Sequence, residues 1–378
     1  MKYLLEISKI IEAAIAVDRR KMLGYLDQLT RKLKKDGDDK SYELLSKLAA
    51  SALPNFSGAV MTSSADDVPQ DKESQLELLD RTDCTVQESK VFLPNGIMNK
   101  LNEFVTLADR VDELKDVGVT VVPSMLLYGP PGVGKSETAK YVAARLEVPL
   151  YTVRTDSLVS SYLGSTSKNL RSVFDFVSAE PCVLFLDELD AIAKQRDDSQ
   201  ELGELKRVVI SLLQNIDKLK PSTVLIAATN HEHLLDPAIW RRFAYKLQLS
   251  LPESMERGAM FKDFLGKYVI SPLELRRLTM ISEGMSGAEI RDACLGAIRR
   301  AVLQGNDRVR LIEIIKGCVE AIMPDDFGFD LRDEKSRNGF FDKFGDGRIR
   351  QGEMAKLFGV SEATISRRIH EAEVKHGG

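Results

Sequence analysis

Cysteine and histidine are scarce in this chain, and each scarcity removes a class of protein. Its 378 residues hold only four of each. Cys84, Cys182, Cys294 and Cys318 lie far apart without C-x-x-C spacing. That excludes a disulfide framework and structural zinc, and it suits reduced thiols in a cytoplasmic setting. The histidines form no H-E-x-x-H run, so zinc proteolysis by this chain is excluded, and no Ser-His-Asp protease motif is visible. No uninterrupted apolar stretch approaches the roughly 20 residues of a membrane helix, so no membrane partner is expected. The opening segment carries Glu6, Lys9 and Glu12 at helical spacing and no signal-peptide cleavage pattern. An excess of one charge is missing too. With 53 Lys/Arg against 57 Asp/Glu, the net charge of −4 is not that of a general nucleic-acid binder. Hydrophobic residues make up 43%, ordinary for a globular chain of two or three domains.

What is present begins with Gly129-Pro-Pro-Gly-Val-Gly-Lys135-Ser136, which matches the phosphate-loop spacing G-x-x-x-x-G-K-[ST]. It follows a β-like run, Val119–Val122 and then Met125–Tyr128, and opens a helical segment from Glu137 to Leu146. Glycines 129, 132 and 134 let backbone N–H groups turn inward around a polyphosphate, and the helix adds its N-terminal dipole. Gly129, Pro130, Pro131, Gly132, Val133, Gly134, Lys135, Ser136 and Glu137 are the residues expected to line ATP. Lys135 would reach the β- and γ-phosphates, and Ser136 would ligate Mg²⁺.

Val183-Leu-Phe-Leu186 is continuously apolar, the pattern of a strand buried on both faces of a parallel sheet. It ends in Asp187-Glu188, and ligands in open α/β sheets bind at such carboxyl ends. Asp187 would hold Mg²⁺ through water, and Glu188 would deprotonate the attacking water. A third strand, Thr223–Ala228, leads into Thr229-Asn230, where Asn230 would bond the γ-phosphate or that water. Leu235-Asp-Pro-Ala-Ile-Trp-Arg241-Arg242-Phe243 follows; two adjacent arginines are most often a solvated surface pair.

These motifs, in this order, resemble an AAA-type ATPase, the clade that includes spastin, katanin and the bacterial protease FtsH. The resemblance covers about residues 90–325 and implies a P-loop α/β fold: a parallel sheet flanked by helices, followed by a helical lid. It further implies a homo-oligomeric ring, usually a hexamer, in which Arg241 and Arg242 reach into a neighbour's γ-phosphate. The family places an aromatic–aliphatic–Gly pore loop where Tyr162-Leu163-Gly164 stands, which would grip a polypeptide substrate by apolar contact. Ser165 replaces a Glu common in relatives, and Tyr162 as an ordinary buried ring is the other reading. Gly203-Glu204, before the helical run Leu205–Asp217, is a second pore-facing turn on the same resemblance. Ser286-Gly287-Ala288-Glu289 resembles the helix start that closes over the nucleotide, with Gly287 and Ala288 where other groups keep a sensor arginine. Ser286 and Glu289 also form an ordinary capping box, and both readings can hold.

The expected organisation is a helical domain over 1–52, a linker over 53–89, the large α/β subdomain over 90–250, the helical lid over 251–325, a linker over 326–346 and a terminal module over 347–378. In 1–52, Leu4, Ile7, Ile11 and Ile15, then Met22, Leu26, Leu29 and Leu33, recur at helical spacing, and Lys32–Lys35 before Asp36-Gly37 marks a helix end. That Lys-rich face reads as solvated rather than nucleic-acid binding. Lid helices are expected over 254–268, 272–283, 286–304 and 309–322.

The tail from Arg350 to Ile369 resembles a bacterial helix–turn–helix, with small Ala355, turn-forming Gly359 and capping Ser361. Met354, Leu357, Val360, Ile365 and Ile369 would form its core, and Thr364 and Arg367 would face bases if it binds DNA. Arg348–Gly378 carries six Lys/Arg against four Asp/Glu, a thin balance for DNA, and such folds also make protein contacts. Two functions therefore compete: a ring that threads or remodels polypeptides, and a DNA-metabolism ATPase resembling transposition or replication helpers. The whole layout resembles stand-alone bacterial ATPases that act beside a subtilisin-like serine protease, some in phage defence.

Overall fold

A computed structural model describes residues 3, 7–11, 19–51, 68–71, 76–155, 163–193, 202–268, 270–322, 344 and 348–376. The chain divides into two compact units, one of residues 1–91, 96–129 and 135–249, the other of 92–95, 130–134 and 250–378.

The first unit opens with helices α1 (Arg19–Lys35) and α2 (Asp39–Ser51). They part at Gly37, whose φ of +74° suits the residue after a helix C-terminus. Leu29 and Leu33 are buried, while Lys34 and Lys35 of the same helix are exposed, and some of its cations have carboxylates nearby. Lys32 lies 3.9 Å from Asp109, Lys35 lies 3.5 Å from Glu147, and Arg31 donates to the Glu147 carbonyl at 3.3 Å. Lys9 pairs with Asp112 in the same way. The cationic face therefore meets an acidic rim of its own unit.

Strand β1 (Leu79–Thr82) lies inside the stretch read from sequence as linker. Only its first residue is buried, and Asp80 and Arg81 are exposed, so no alternation announces it. Exposed charge also suits an edge strand. Helices α3 (Asn95–Asp109) and α4 (Val111–Asp116) lead to β2 (Ser124–Tyr128). The β-like Val119–Val122 stays outside that strand, and Pro123, which has no N–H to give a ladder, stands at the boundary. Then come α5 (Lys135–Leu146), β3 (Leu150–Val153), α6 (Leu163–Val177), β4 (Cys182–Leu186), α7 (Leu189–Ala193), α8 (Leu202–Asp217), β5 (Thr223–Thr229), the four-residue α9 (Pro237–Trp240) and β6 (Tyr245–Gln248). Gly203 and Glu204 fall in the first turn of α8 rather than in a separate turn; there a glycine removes no intrahelical N–H bond.

The sheet order is β1-β3-β4-β5-β2-β6, parallel throughout except for β1 against β3. Every residue of β4 and β5 is buried, as continuous apolar runs in the middle of a parallel sheet require. Leu170, Val173, Phe174 and Val177 of α6 and Val208, Leu212 and Ile216 of α8 share a core with Leu184, Leu186, Leu225 and Ala227.

The second unit is helical: α10 (Ser254–Leu265), α11 (Pro272–Ile281), α12 (Gly287–Leu303), α13 (Leu311–Ile322), α14 (Gln351–Phe358) and α15 (Glu362–His376). Capping boxes at Ser271/Glu274 and Ser286/Glu289 start α11 and α12. Gly359 takes φ +64° between α14 and α15, and Ser361 accepts from the Thr364 N–H. The helices meet closely enough that a Cβ on Gly352 would stand 2.7 Å from Glu362 Oε1. Met354, Ala355 and Ile365 do not enclose a core of their own. They join Ile290, Ile314, Ile315 and Val319 in one cluster. Arg277 of α11 pairs with Glu353 of α14, and the two side chains are only 14% and 16% exposed. Burial alone raises the Glu353 carboxyl, but hydrogen bonds from Arg277 and the Arg350 N–H, with both guanidinium charges, hold it below 4.5.

Arg277→Ala strands a mostly buried carboxylate and should cost about 3 kcal/mol of stability at neutral pH. A carboxyl whose folded-state pKa is lowered contributes above its unfolded value and loses that contribution as pH falls through the folded value. Chemical unfolding of both proteins from pH 7 to pH 3 should therefore show the difference shrinking as Glu353 is protonated. A constant difference would remove the ion pair as its cause.

Candidate functional site

The carboxyl ends of β2, β5 and β4 lie side by side, with β5 between the other two. Each delivers a polar group where its buried residues stop: the glycine loop after β2, Asn230 after β5, Asp187-Glu188 after β4. Lys135, the first residue of α5, is 8% exposed. Its ammonium donates to the Gly129 carbonyl at 2.7 Å and to Asn230 Oδ1 at 2.6 Å. Burial lowers the Lys135 pKa, opposed by the nearby carboxylates of Asp187, Asp190 and Glu232. Ser136 donates from Oγ to Asp187 Oδ2 at 3.0 Å, and Asp187 Oδ1 accepts from the Glu188 N–H at 2.9 Å. Glu188 is exposed, and its φ of +49° is a strained value for a residue with a side chain. Glu137, in the first turn of α5, pairs with Lys140.

The loop's shape depends on missing side chains. Gly129 has φ +141°, and a Cβ there would stand 2.0 Å from the Leu249 carbonyl oxygen. Gly132 has φ +75°, and its Cβ would meet Ser286 Oγ at 2.7 Å and the Ala288 Cβ at 3.1 Å. In the same unit the Ala288 N–H donates to the Gly132 carbonyl at 3.1 Å, and a Cβ on Gly287 would stand 3.4 Å from that oxygen. Pro130 and Pro131 are exposed, Val133 is buried, and Gly134 at φ +97° meets nothing within 4 Å. Positive-φ glycines spaced through a turn let successive backbone N–H groups converge into an anion-binding concavity. The Ser136 hydroxyl and Asp187 carboxylate, already in contact, are oxygen donors of the kind a small hard divalent cation takes. The residues present fit a nucleotide and its cation.

Arg241 and Arg242 are exposed at the end of α9. Tyr162 lies outside the described residues, while Leu163 and Gly164 begin α6. Sequence reasoning missed Asp190 and Thr229. The Thr229 hydroxyl donates to Asp190 Oδ1 at 2.6 Å and accepts from the His231 N–H at 3.0 Å, which fixes the turn carrying Asn230. A polar residue ending a wholly buried strand was the available signal.

A phosphate loop and an acidic strand end on one parallel sheet define a P-loop nucleotide-binding protein. The model of the AAA family, "ATPase family associated with various cellular activities", matches residues 125–251. An uncharacterized AAA family ATPase, y4kL, of Sinorhizobium fredii is 40% identical over 238 residues, 63% of this chain and 72% of that one. The proteasome-activating nucleotidase of Methanococcus vannielii is 34% identical over 57% of this chain and 55% of its own length. The ATP-dependent zinc metalloprotease FtsH 3 of Sphaerobacter thermophilus is 33% identical over 56% of this chain and 44% of its own. Among solved structures, the FIGL-1 AAA domain has the same fold, with a TM-score of 0.53 at 24% identity over 64% of this chain and 85% of that one. The chain belongs to the AAA family of ATPases and hydrolyses ATP. No described helix is long and apolar enough to cross a membrane.

Gly129→Ala should be the most damaging glycine change in the loop. It adds a contact with backbone, which no rotamer relieves, to backbone strain of at least about 1 kcal/mol. Gly134→Ala brings the strain alone, because its Cβ meets open space. Thermal unfolding with binding of a non-hydrolysable ATP analogue should rank Gly129→Ala clearly below Gly134→Ala. Equal behaviour would mean that the Leu249 contact does not shape the loop.

Proposed function

We propose that this ATPase works as a homo-oligomeric ring, a hexamer, that threads or remodels polypeptides. The observation carrying the reading is the contact set Lys135–Asn230 and Ser136–Asp187 with Glu188 beside it, in a chain similar to a proteasome-activating nucleotidase and to FtsH. Lys135 exchanges Gly129 O and Asn230 Oδ1 for the β- and γ-phosphates, a trade of two neutral acceptors for charged ones. Asn230 is then released to orient the attacking water. The strained Glu188 backbone turns its carboxylate outward, where it takes that water's proton. Ser136 and Asp187 would hold Mg²⁺, which would neutralise charge on the phosphates. The turn carrying Arg241 and Arg242 serves a neighbour's nucleotide, and an arginine supplied in trans contributes about 10³–10⁵ in rate.

Tyr162-Leu163-Gly164 grips the substrate in the pore. The substrate's breakdown, where it occurs, belongs to a partner such as a subtilisin-like serine protease, in a cytoplasmic anti-phage role. The tail from about Gly347 recognises that partner. The alternative occupant of the tail, duplex DNA, would show as salt-sensitive binding by the full-length protein.

Glu188→Gln should bind ATP and turn it over at least about 100-fold more slowly, consistent with loss of a general base, while Lys135→Ala should lose binding. Wild-type turnover by pure Glu188→Gln protein would sink the assignment. Mixing Arg241→Ala with Glu188→Gln subunits should give more turnover than either alone, since some interfaces then pair an intact base with an intact arginine. Strictly additive rates across mixing ratios would argue against action in trans. Tyr162→Ala should keep basal hydrolysis and lose remodelling of an unstructured model polypeptide. Unchanged remodelling would remove Tyr162 from the pore.

A further inference from the structure

The two adjacent arginines are not equivalent. Arg242 lays its guanidinium fork on Asp217, the last residue of α8, with Nε donating to Oδ1 at 2.6 Å and Nη2 to Oδ2 at 3.0 Å. Both bonds are charge-assisted, and they occupy these two donors. The backbone at Arg242 is held as well. Ser124, 3% exposed at the start of β2, donates its hydroxyl to the Arg242 carbonyl at 3.2 Å and accepts from the Ala244 N–H at 3.1 Å. The Trp240 and Tyr128 rings pack edge to face with centroids 5.1 Å apart, and Tyr128 directly precedes Gly129 of the phosphate loop. Ile239 and Phe243 are buried on either flank. Arg241 stands exposed in the middle of this frame, and its side chain pairs with no described residue.

We propose that Arg241 alone is the arginine delivered to a neighbouring copy's γ-phosphate, and that Arg242 is a positioning residue which Asp217 holds in place. This rests on the reading of the turn as acting in trans. Two physical points carry it. Moving Arg242 onto a phosphate first breaks a bidentate pair, whereas Arg241 gives up no bond of that kind. Asp217 also neutralises Arg242, so the turn presents one positive charge instead of two that repel. Because Trp240 touches the residue before Gly129, the presented arginine is tied to the strand that carries its own subunit's phosphate loop.

The test is a charge exchange in the full-length protein, with assembly verified by sedimentation and turnover read with ATP and Mg²⁺. Arg241→Ala should lower kcat by about 10³-fold or more, with KM for ATP little changed. Arg242→Asp should lower kcat too, and adding Asp217→Arg should restore it to within several-fold of wild type, because the pair is rebuilt in reverse. Trp240 is the chain's single tryptophan, so its emission reports whether the turn has re-formed. Asp217→Asn, which leaves both arginines in place, should lower kcat partially. The proposal is overturned if the double exchange stays as slow as Arg242→Asp while the Trp240 emission returns to wild type, since Arg242 itself would then act on phosphate. It is equally overturned if Asp217→Asn has wild-type kcat. Full turnover by both Arg241→Ala and Arg242→Ala in verified assemblies would refute the broader trans reading, a result distinct from either of these.

Discussion

Two strands buried on both faces set the terms for the rest of the first unit. Along β4 and β5 no position is open to water, so neither can carry a polar side chain that lacks a partner. Polar chemistry is thereby pushed to the strand ends. In a parallel sheet all the carboxyl ends fall on one edge, and there the adjacent pair Asp187-Glu188 and the adjacent pair Thr229-Asn230 come together although some forty residues of chain separate the two pairs. The antiparallel β1 can depart from this rule because it sits at the edge, with exposed Asp80 and Arg81 satisfied by solvent and by nearby charges.

Charge balance at that edge accounts for the state of Lys135. A mostly buried ammonium is costly unless it is paired. Here it draws on Asn230 and the Gly129 carbonyl directly and on the surrounding carboxylates at longer range, yet burial still prevails and lowers its pKa. Two of its partners are neutral oxygens, and on the function proposed above phosphate, with stronger acceptors, takes their place.

The nucleotide cluster was legible from sequence because its signals are local: a glycine spacing, an apolar run ending in two acids, a second run ending in Asn. The lid helices were legible for the same reason, since Pro272, Ser286 and the positive-φ Gly284 and Gly305 punctuate a helical period. What escaped were features that exist only between distant segments. β1 is a strand because β3 offers it a partner, not because its Leu-Asp-Arg-Thr has a strand pattern. The pairs of Lys9 with Asp112, Lys32 with Asp109 and Lys35 with Glu147 could not be read off because the partners are far apart in the chain. Asp217 and Arg242, 25 residues apart, give no hint of pairing in one dimension.

The tail shows the same limit in its clearest form. Its turn residues behave as local chemistry requires: Gly359 is left-handed and Ser361 caps the next helix. Local chemistry cannot say where the apolar side of such a pair goes. Met354 and Ile365 could in principle close over each other, but two short helices expose too much of a shared core to be stable alone. Sinking that side among Ile314, Ile315 and Val319, and tying Arg277 to Glu353, removes the exposure. The consequence is mechanical as well as energetic. A helix pair fused into the core of a unit that also holds Gly132 against Ser286 and Ala288 cannot rearrange independently of that unit. Anything that binds the outer face of α15 therefore acts on the same body that carries residues 130–134 of the phosphate loop.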